Sequence, residues 1–224
     1  FCRACRGGGC ERCNFTGKMY AESVEELISG SILSAFKGND MVLHGCGRED
    51  IDARMLGSGR PFVVEIKEPG RRAVDLRWLE GKVKEENEGK LEVTGLQYVK
   101  REMVAKIKNA KVDKTYRVTV ELKKRVREAD LNAAVALLNG AVIEQRTPTR
   151  VVHRRADLLR MRNVYRARLA SFEEQIAVIE ITCDGGLYIK ELISGDGGRT
   201  KPSFSELLGE EAEVKELDVV DVAI

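Results

Sequence analysis

Residues 47–62, GREDIDARMLGSGRPF, set two aspartates, Asp50 and Asp52, among three arginines, Arg48, Arg54 and Arg60. Glycines stand at 47, 57 and 59. A carboxylate beside guanidinium groups has a lowered pKa and stays ionised. On a loop, such a group can act as a nucleophile or a general base. The pattern also fits an ordinary loop with surface ion pairs, which add little stability. Spacing alone leaves both readings open, because structural ion-pair networks perturb acids too.

A second cluster opens the chain. Cys2, Cys5, Cys10 and Cys13 form C-x2-C-x4-C-x2-C, with Gly7, Gly8 and Gly9 between the two pairs. Two such knuckles can supply the four thiolates that tetrahedral zinc needs. The glycines let the backbone turn tightly between them. Two disulfides, or two half-sites for different metals, are the alternatives. No secretory signal is visible, which favours a structural zinc. Cys46 and Cys183 stand alone and read as buried thiols.

Charge is unevenly placed. The whole chain carries +2, but residues 146–168 carry +7, leaving −5 elsewhere. Eight arginines in that segment (146, 150, 154, 155, 160, 162, 166 and 168) face one acid, Asp157. A basic stripe on an acidic body points to an anionic partner, and arginine favours bidentate phosphate contact. Arg146, Arg150, Arg154 and Arg155 are candidate RNA contacts, and His153 is read as a phosphate contact rather than a catalyst. A solvated face is the alternative. Residues 195–202, GDGGRTKP, add Arg199 and Lys201 on glycines that suit close approach to phosphates. Their spacing does not match a nucleoside-triphosphate loop.

These groups need a frame. Ser23-x-x-Glu26 is a capping box, and Val24, Leu27, Ile28, Ile32, Leu33 and Phe36 follow at helical spacing towards a stop at Gly38. Residues 41–43 and 61–68 read as strands, 75–87 as a helix, 91–99 as a strand and 102–108 as a short helix. Residues 114–123 alternate most clearly, with Tyr116, Val118, Val120 and Leu122 on one side. Tyr116 therefore faces either a core or a cleft. Residues 129–138 read as an amphipathic helix, and 141–145, 164–172, 175–184 and 212–223 as strands. Interspersed helices and a majority of strands predict an α+β protein: a large mixed, mainly antiparallel sheet flanked by helices, with the cysteine knuckle as an appendage.

A chain of 224 residues with 43% apolar content can build a core. No apolar run approaches the roughly 18 residues of a membrane span. No signal peptide is visible, which implies a cytoplasmic protein. The chain opens on Phe1 rather than Met and is read as a piece of a longer protein. Two distant histidines and no H-E-x-x-H argue against a zinc hydrolase.

An Arg-x-Asp loop (Arg48-Glu49-Asp50), a Lys-x-Tyr strand (Lys114-Thr115-Tyr116) and a turn reading Gly186-Leu-Tyr-Ile-Lys190-Glu-Leu192 occur in that order. This ordered set resembles the pseudouridine synthases. The long stretches GREDIDARMLGSGRPF, QRTPTRVVHRR and GDGGRTKPS are similar to the archaeal and eukaryotic tRNA enzymes that modify positions 54 and 55 of the T loop. The resemblance covers the chain from about residue 23 onward.

The resemblance implies the pseudouridine synthase fold over residues 21–224, with residues 1–20 a cysteine knuckle left from a larger N-terminal RNA-binding region. It implies a tRNA partner bound through its T arm, no nucleotide or other cofactor for catalysis, and no membrane. Asp50 would be the nucleophile and Lys190 its basic partner, with Arg48 assisting. Asp52 is the runner-up and otherwise orients the loop by pairing with Arg54 or Arg60. Tyr116 would stack on the uracil, while Tyr188 and Leu192 line the pocket. The rival reading is a non-catalytic zinc-knuckle RNA-binding module. It explains the arginines and cysteines but not an acid-rich loop beside them.

Overall fold

The computed structural model describes residues 2, 4–20, 22–153 and 155–223. Arg154, an expected RNA contact, lies outside the described residues. The chain divides into two compact units, residues 1–44 with 62–105 and residues 45–61 with 106–224.

In the first unit, helix α1 (Val24–Phe36) starts at the expected capping box: the Glu26 amide donates to Ser23 Oγ at 3.2 Å, and the Ser23 amide donates to the Glu26 carboxylate at 3.0 Å. It ends as Lys37 turns left-handed and the Gly38 amide donates to the Leu33 carbonyl. Helix α2 (Leu76–Glu86) is capped by the Asp75 carboxylate. Strands β1 (Asp40–Gly45) and β3 (Phe62–Lys67) pair as a two-stranded sheet, β2 belonging to the other unit. Ile28, Ile32, Phe36, Leu79, Val83 and Val93 form the core here. The strand expected over residues 91–99 does not form. Gly95 turns to φ +67°, which breaks an extended run, and Leu91, Val93 and Leu96 anchor the segment by packing instead.

The second unit is built on a seven-stranded sheet. Its members are β2 (Ala53–Met55), β4 (Lys114–Leu122), β5 (Val142–Arg146), β6 (Leu159–Glu173), β7 (Ile176–Cys183), β8 (Thr200–Lys201) and β9 (Ala212–Val222). They lie in the order β2-β9-β4-β7-β6-β5-β8. β2 runs parallel to β9, and β4, β5, β6, β7 and β8 pair antiparallel with their neighbours. The alternation in β4 is real: Tyr116, Val118, Val120 and Leu122 are all buried. Helix α4 (Glu128–Leu138) lays Leu131, Ala134, Val135 and Leu138 into the same core. Each of these leucine and valine side chains contributes about 1.5–3 kcal/mol at full burial. The other α-helices among the described residues of the chain are α3 (Glu102–Asn109), α5 (Thr149–Val152), α6 (Ile189–Ser194) and α7 (Phe204–Leu208).

Strand β6 is longer than residues 164–172 predict. Its first part pairs with β5 from Leu159 to Asn163, and the remainder pairs with β7. Asn163 marks the change of partner. Its amide and its side chain both donate to Asp184 Oδ2, at 2.7 and 2.8 Å, and the Tyr165 hydroxyl donates to Asp184 Oδ1 at 2.6 Å. Arg160, Arg162, Arg166 and Arg168 are therefore carried on an ordered ribbon. Among the described residues no helix is long and apolar enough to cross a membrane.

Candidate active site

The acid loop precedes β2. The Ala53 amide donates to the Asp50 carbonyl at 3.1 Å, closing a turn that sends Asp50 and Asp52 to different partners. β2 is held against β9 beyond the backbone. Arg54 Nε donates to Asp218 at 2.6 Å, and Arg54 Nη2 reaches Glu216 at 3.2 Å. Gly57 follows at φ +77°, where a Cβ would stand 2.1 Å from the Val220 carbonyl. That glycine serves close packing on β9.

Arg150, on α5, takes Asp50. Its Nη1 donates to Oδ1 at 2.9 Å and its Nη2 to Oδ2 at 2.6 Å. The same guanidinium uses Nε to donate to Glu191 Oε1 at 2.6 Å. The Glu191 side chain, on α6, is only 6% exposed, whereas that of Asp50 is 27% exposed. Burial alone would lower the pKa of Arg150, but its hydrogen bonds to Glu191 and Asp50 outweigh that and raise it. Burial pushes the Glu191 carboxyl up, and Arg150 works against the rise.

Lys190 pairs with Asp52, whose side chain is 59% exposed. The hydrogen bond from Lys190 holds the Asp52 carboxyl below its usual range, against a smaller effect of partial burial. The expected pairing of Lys190 with Asp50 is thus corrected, as is the expected pairing of Asp52 with Arg54 or Arg60. Arg54 is committed to β9. Arg60 lies 3.6 Å from Glu49 and donates to the Gly47 carbonyl. Arg48 is exposed, and no ion pair joins it to Asp50 among the described residues.

Beneath the loop, Glu49 pairs with the buried Lys114 and accepts from the Tyr116 hydroxyl at 3.2 Å. Tyr116 is 2% exposed, so no ring face is open for stacking in this conformation. Burial, then the Glu49 charge, raises the Tyr116 pKa far above that of a free phenol. Leu192, expected to line a pocket, is fully buried in the core. Tyr188 is half-buried, with the Arg150 guanidinium 5.9 Å from its ring centre. Arg155 donates to its hydroxyl at 2.8 Å. Its backbone exchanges hydrogen bonds with the buried Gln145 side chain at 2.8 and 3.0 Å.

The expected phosphate contacts divide. Arg150 is occupied as described. Arg146 lies 3.4 Å from Asp157, and Arg168 lies 2.5 Å from Glu180. Arg199 donates to Asp157 at 2.6 Å and to the Thr147 carbonyl at 2.9 Å. His153, Lys201 and Arg166 are exposed.

Sequence reasoning missed Glu49, Gln145 and Glu191. All three are polar positions held close under the site; Gln145 alternates with buried Ile143 on β5, and Glu191 sits within the apolar-rich YIKELI. A buried polar side chain must find a partner, which is the signal such stretches carry.

In the first unit, the four cysteine sulfurs at positions 2, 5, 10 and 13 lie within 4.8 Å of one another and could hold a metal ion. Cys2 and Cys10 are 3.9 Å apart, while Cys5–Cys13 and Cys10–Cys13 are 3.8 Å apart. Those separations are too long for disulfides. Four thiolates about 2.3 Å from a tetrahedral ion stand about 3.8 Å apart. Amides of Gly9, Cys10 and Gly17 donate to Cys5 or Cys13 sulfur at 3.2–3.3 Å, as suits thiolates. Burial opposes ionisation of Cys13, but the Cys10 and Gly17 amides bring its thiol down to about 6.

The mixed sheet flanked by helices, with the acid loop at one edge strand, is similar to the pseudouridine synthase fold. A chain from a crystal structure of a Cbf5–Nop10–Gar1 complex matches it with a TM-score of 0.57, over 92% of this chain and 46% of that one, at 17% identity. The family described as "Pus10, C-terminal" matches residues 10–223, and the chain belongs to that family. Among its relatives, a protein of Methanothrix thermoacetophila is 55% identical over 221 residues, 99% of this chain and 49% of that protein. A Methanopyrus kandleri protein is 50% identical over 98% of this chain and 51% of its own length. A Methanocaldococcus jannaschii protein is 49% identical over 99% of this chain and 48% of its own. All three are named tRNA pseudouridine synthase Pus10. The chain thus spans about half the length of these relatives.

Proposed function

We propose that this chain is the catalytic part of a tRNA pseudouridine synthase, an isomerase. It would convert uridine to pseudouridine at position 54, position 55 or both in the T loop. The observation that carries the reading is Asp50: a partly exposed carboxylate gripped by Arg150, in a chain about half-identical to proteins named for this activity. The reaction breaks the ribose bond to N1 of uracil, forms one to C5, and moves a proton from C5 to N1. Nothing in that exchange needs a nucleotide, a redox group or a catalytic metal.

Asp50 is the nucleophile in this reading. Each of its oxygens has one lone pair turned to Arg150 and another left for attack on C6 of the base or C1′ of the ribose. Asp52, paired with Lys190, is the alternative nucleophile, since Lys190 is the basic residue of the resembled turn. Tyr116 would stack on the uracil once Glu49 and its loop uncover the ring, with Tyr188 and Arg48 beside the base. Turning the target base out of its loop costs a few kcal/mol. Phosphate contacts to the T arm from Arg146, His153, Arg154, Arg155, Arg199 and Lys201 would offset that cost. Residues 1–20 are read as a structural zinc knuckle, residues 21–224 as the catalytic region, and the protein as cytoplasmic.

Tritium release from tRNA labelled at uracil C5 tests the reading, since each isomerisation expels that hydrogen. Release mapped to the T loop is expected. Tight tRNA binding without release would favour the non-catalytic module.

A further inference from the structure

Arg150 stands in the arginine-rich segment, and its sequence context marks it as a phosphate contact. Its surroundings assign it other work. All three nitrogens of the guanidinium are spent on carboxylates: Nη1 and Nη2 on Asp50, and Nε with Nη2 on Glu191, at 2.6 and 3.3 Å. Glu191 is nearly sealed from solvent and faces no other basic partner among the described residues. A buried carboxylate is costly unless paired, so Glu191 fixes where the guanidinium sits. The helix carrying Arg150 is only Thr149–Val152, too short to hold itself. The Asp196 carboxylate accepts from the Thr149 amide at 2.8 Å and so ties that helix to the glycine loop. Three motifs distant in sequence thus converge on one short helix and its guanidinium.

We infer that Arg150 is a positioning residue for the Asp50 nucleophile, held in register by Glu191 and Asp196. This rests on the proposed function above. Bidentate pairing fixes the rotation of the Asp50 carboxylate as well as its place. Lysine could not hold both acids in that plane, being a point charge without a fork. The consequence is that the arginine-rich segment is linked to the chemistry: movement of α5 on RNA contact at His153 or Arg155 reaches Asp50 through one side chain.

The test measures single-turnover tritium release and tRNA affinity for the full chain and for Arg150→Ala, Arg150→Lys and Glu191→Gln. Misplacement of a reacting group by an ångström costs about 10²-fold in rate. Arg150→Ala is expected to lose about that much in the chemical step while tRNA affinity stays within about threefold. Added guanidinium ion should restore part of the rate, and Arg150→Lys should recover less than a tenth of it. Glu191→Gln, which keeps shape and removes the anchor's charge, should lower the rate by about tenfold without weakening binding. A loss of affinity with an unchanged chemical step in Arg150→Ala would make it a phosphate contact and overturn the inference. Full activity in Glu191→Gln would overturn the anchoring role, even if Arg150→Ala failed to fold. Absence of release from the unsubstituted chain would instead remove the proposed function.

Discussion

Arg150 and Asp50, one hundred positions apart, form a two-point contact in which each terminal guanidinium nitrogen meets one carboxylate oxygen, at 2.9 and 2.6 Å. The next acid along, Asp52, goes to Lys190 instead. Two carboxylates a single residue apart therefore sit in different surroundings, one gripped by a forked cation and one tethered in solvent.

That difference gives a pH-dependent prediction for the exposed pair. The Asp52 carboxyl is held below its usual value by Lys190. A depressed carboxyl contributes stability that is present above its unfolded pKa of about 3.9 and is lost as pH falls through the folded value. Asp52→Asn should therefore lower stability by less than about 1 kcal/mol at pH 7, given how exposed the pair is. The difference should vanish well below pH 3.9, where both states are protonated. Urea midpoints across that range measure it.

The cysteine cluster predicts a folded knuckle that depends on metal. The chain should carry one zinc by elemental analysis. Cys10→Ser should lower that content and destabilise the first unit's thermal transition, because binding energy at such a site is folding energy. Acidification should release the metal as thiolates protonate. A zinc content that is unchanged in Cys10→Ser would contradict the assignment.

Gly57 tests the packing that holds the acid loop's far end. It combines φ +77° with a Cβ position 2.1 Å from the Val220 carbonyl. Gly57→Ala should cost at least about 1–3 kcal/mol from backbone conformation alone, with the clash added. Denaturant unfolding reads the loss. A neutral effect would mean that β2 does not need its tight contact with β9.

The salt response of tRNA binding should be shallower than eight arginines imply. Each phosphate contact contributes a slope of about −0.7 to −0.9 in log affinity against log salt. Arg150 and Arg168 are paired with Asp50 and Glu191, and with Glu180 respectively. Arg166→Ala and Lys201→Ala should each reduce the slope by about one contact, and Arg168→Ala should leave it unchanged.

Much of this is legible in the amino-acid sequence. The alternation at Tyr116, Val118, Val120 and Leu122 and the capping box at Ser23 are local signals, set by period and by hydrogen bonds three residues apart. Most strands of the sheet and the helices α1, α2 and α4 follow from signals of this kind, and the four-cysteine cluster from its C-x2-C-x4-C-x2-C spacing. β2 was not legible, since three residues are too few to show a period. The segment 91–99 misled because its apolar residues pack as anchors, with Gly95 breaking the extension. The partners of Asp50 and Asp52 were out of reach for a different reason. Arg150, Lys190 and Glu191 are assigned by tertiary placement of two short helices, and nothing in the spacing of an Arg-x-Asp loop says which cation arrives at which acid. Buried Glu191 left only a faint trace, as a polar residue beside apolar ones, and Glu49 left none within its charged loop.

The central claim is that Asp50 carries out the isomerisation. The most direct measurement is tritium release from T-loop-labelled tRNA by the unsubstituted chain, Asp50→Asn and Asp52→Asn, with tRNA affinity measured alongside. Asp50→Asn should abolish release and retain binding, while Asp52→Asn should keep measurable turnover. Sustained release by Asp50→Asn, with loss in Asp52→Asn, would contradict the account and move the chemistry to the acid that Lys190 holds.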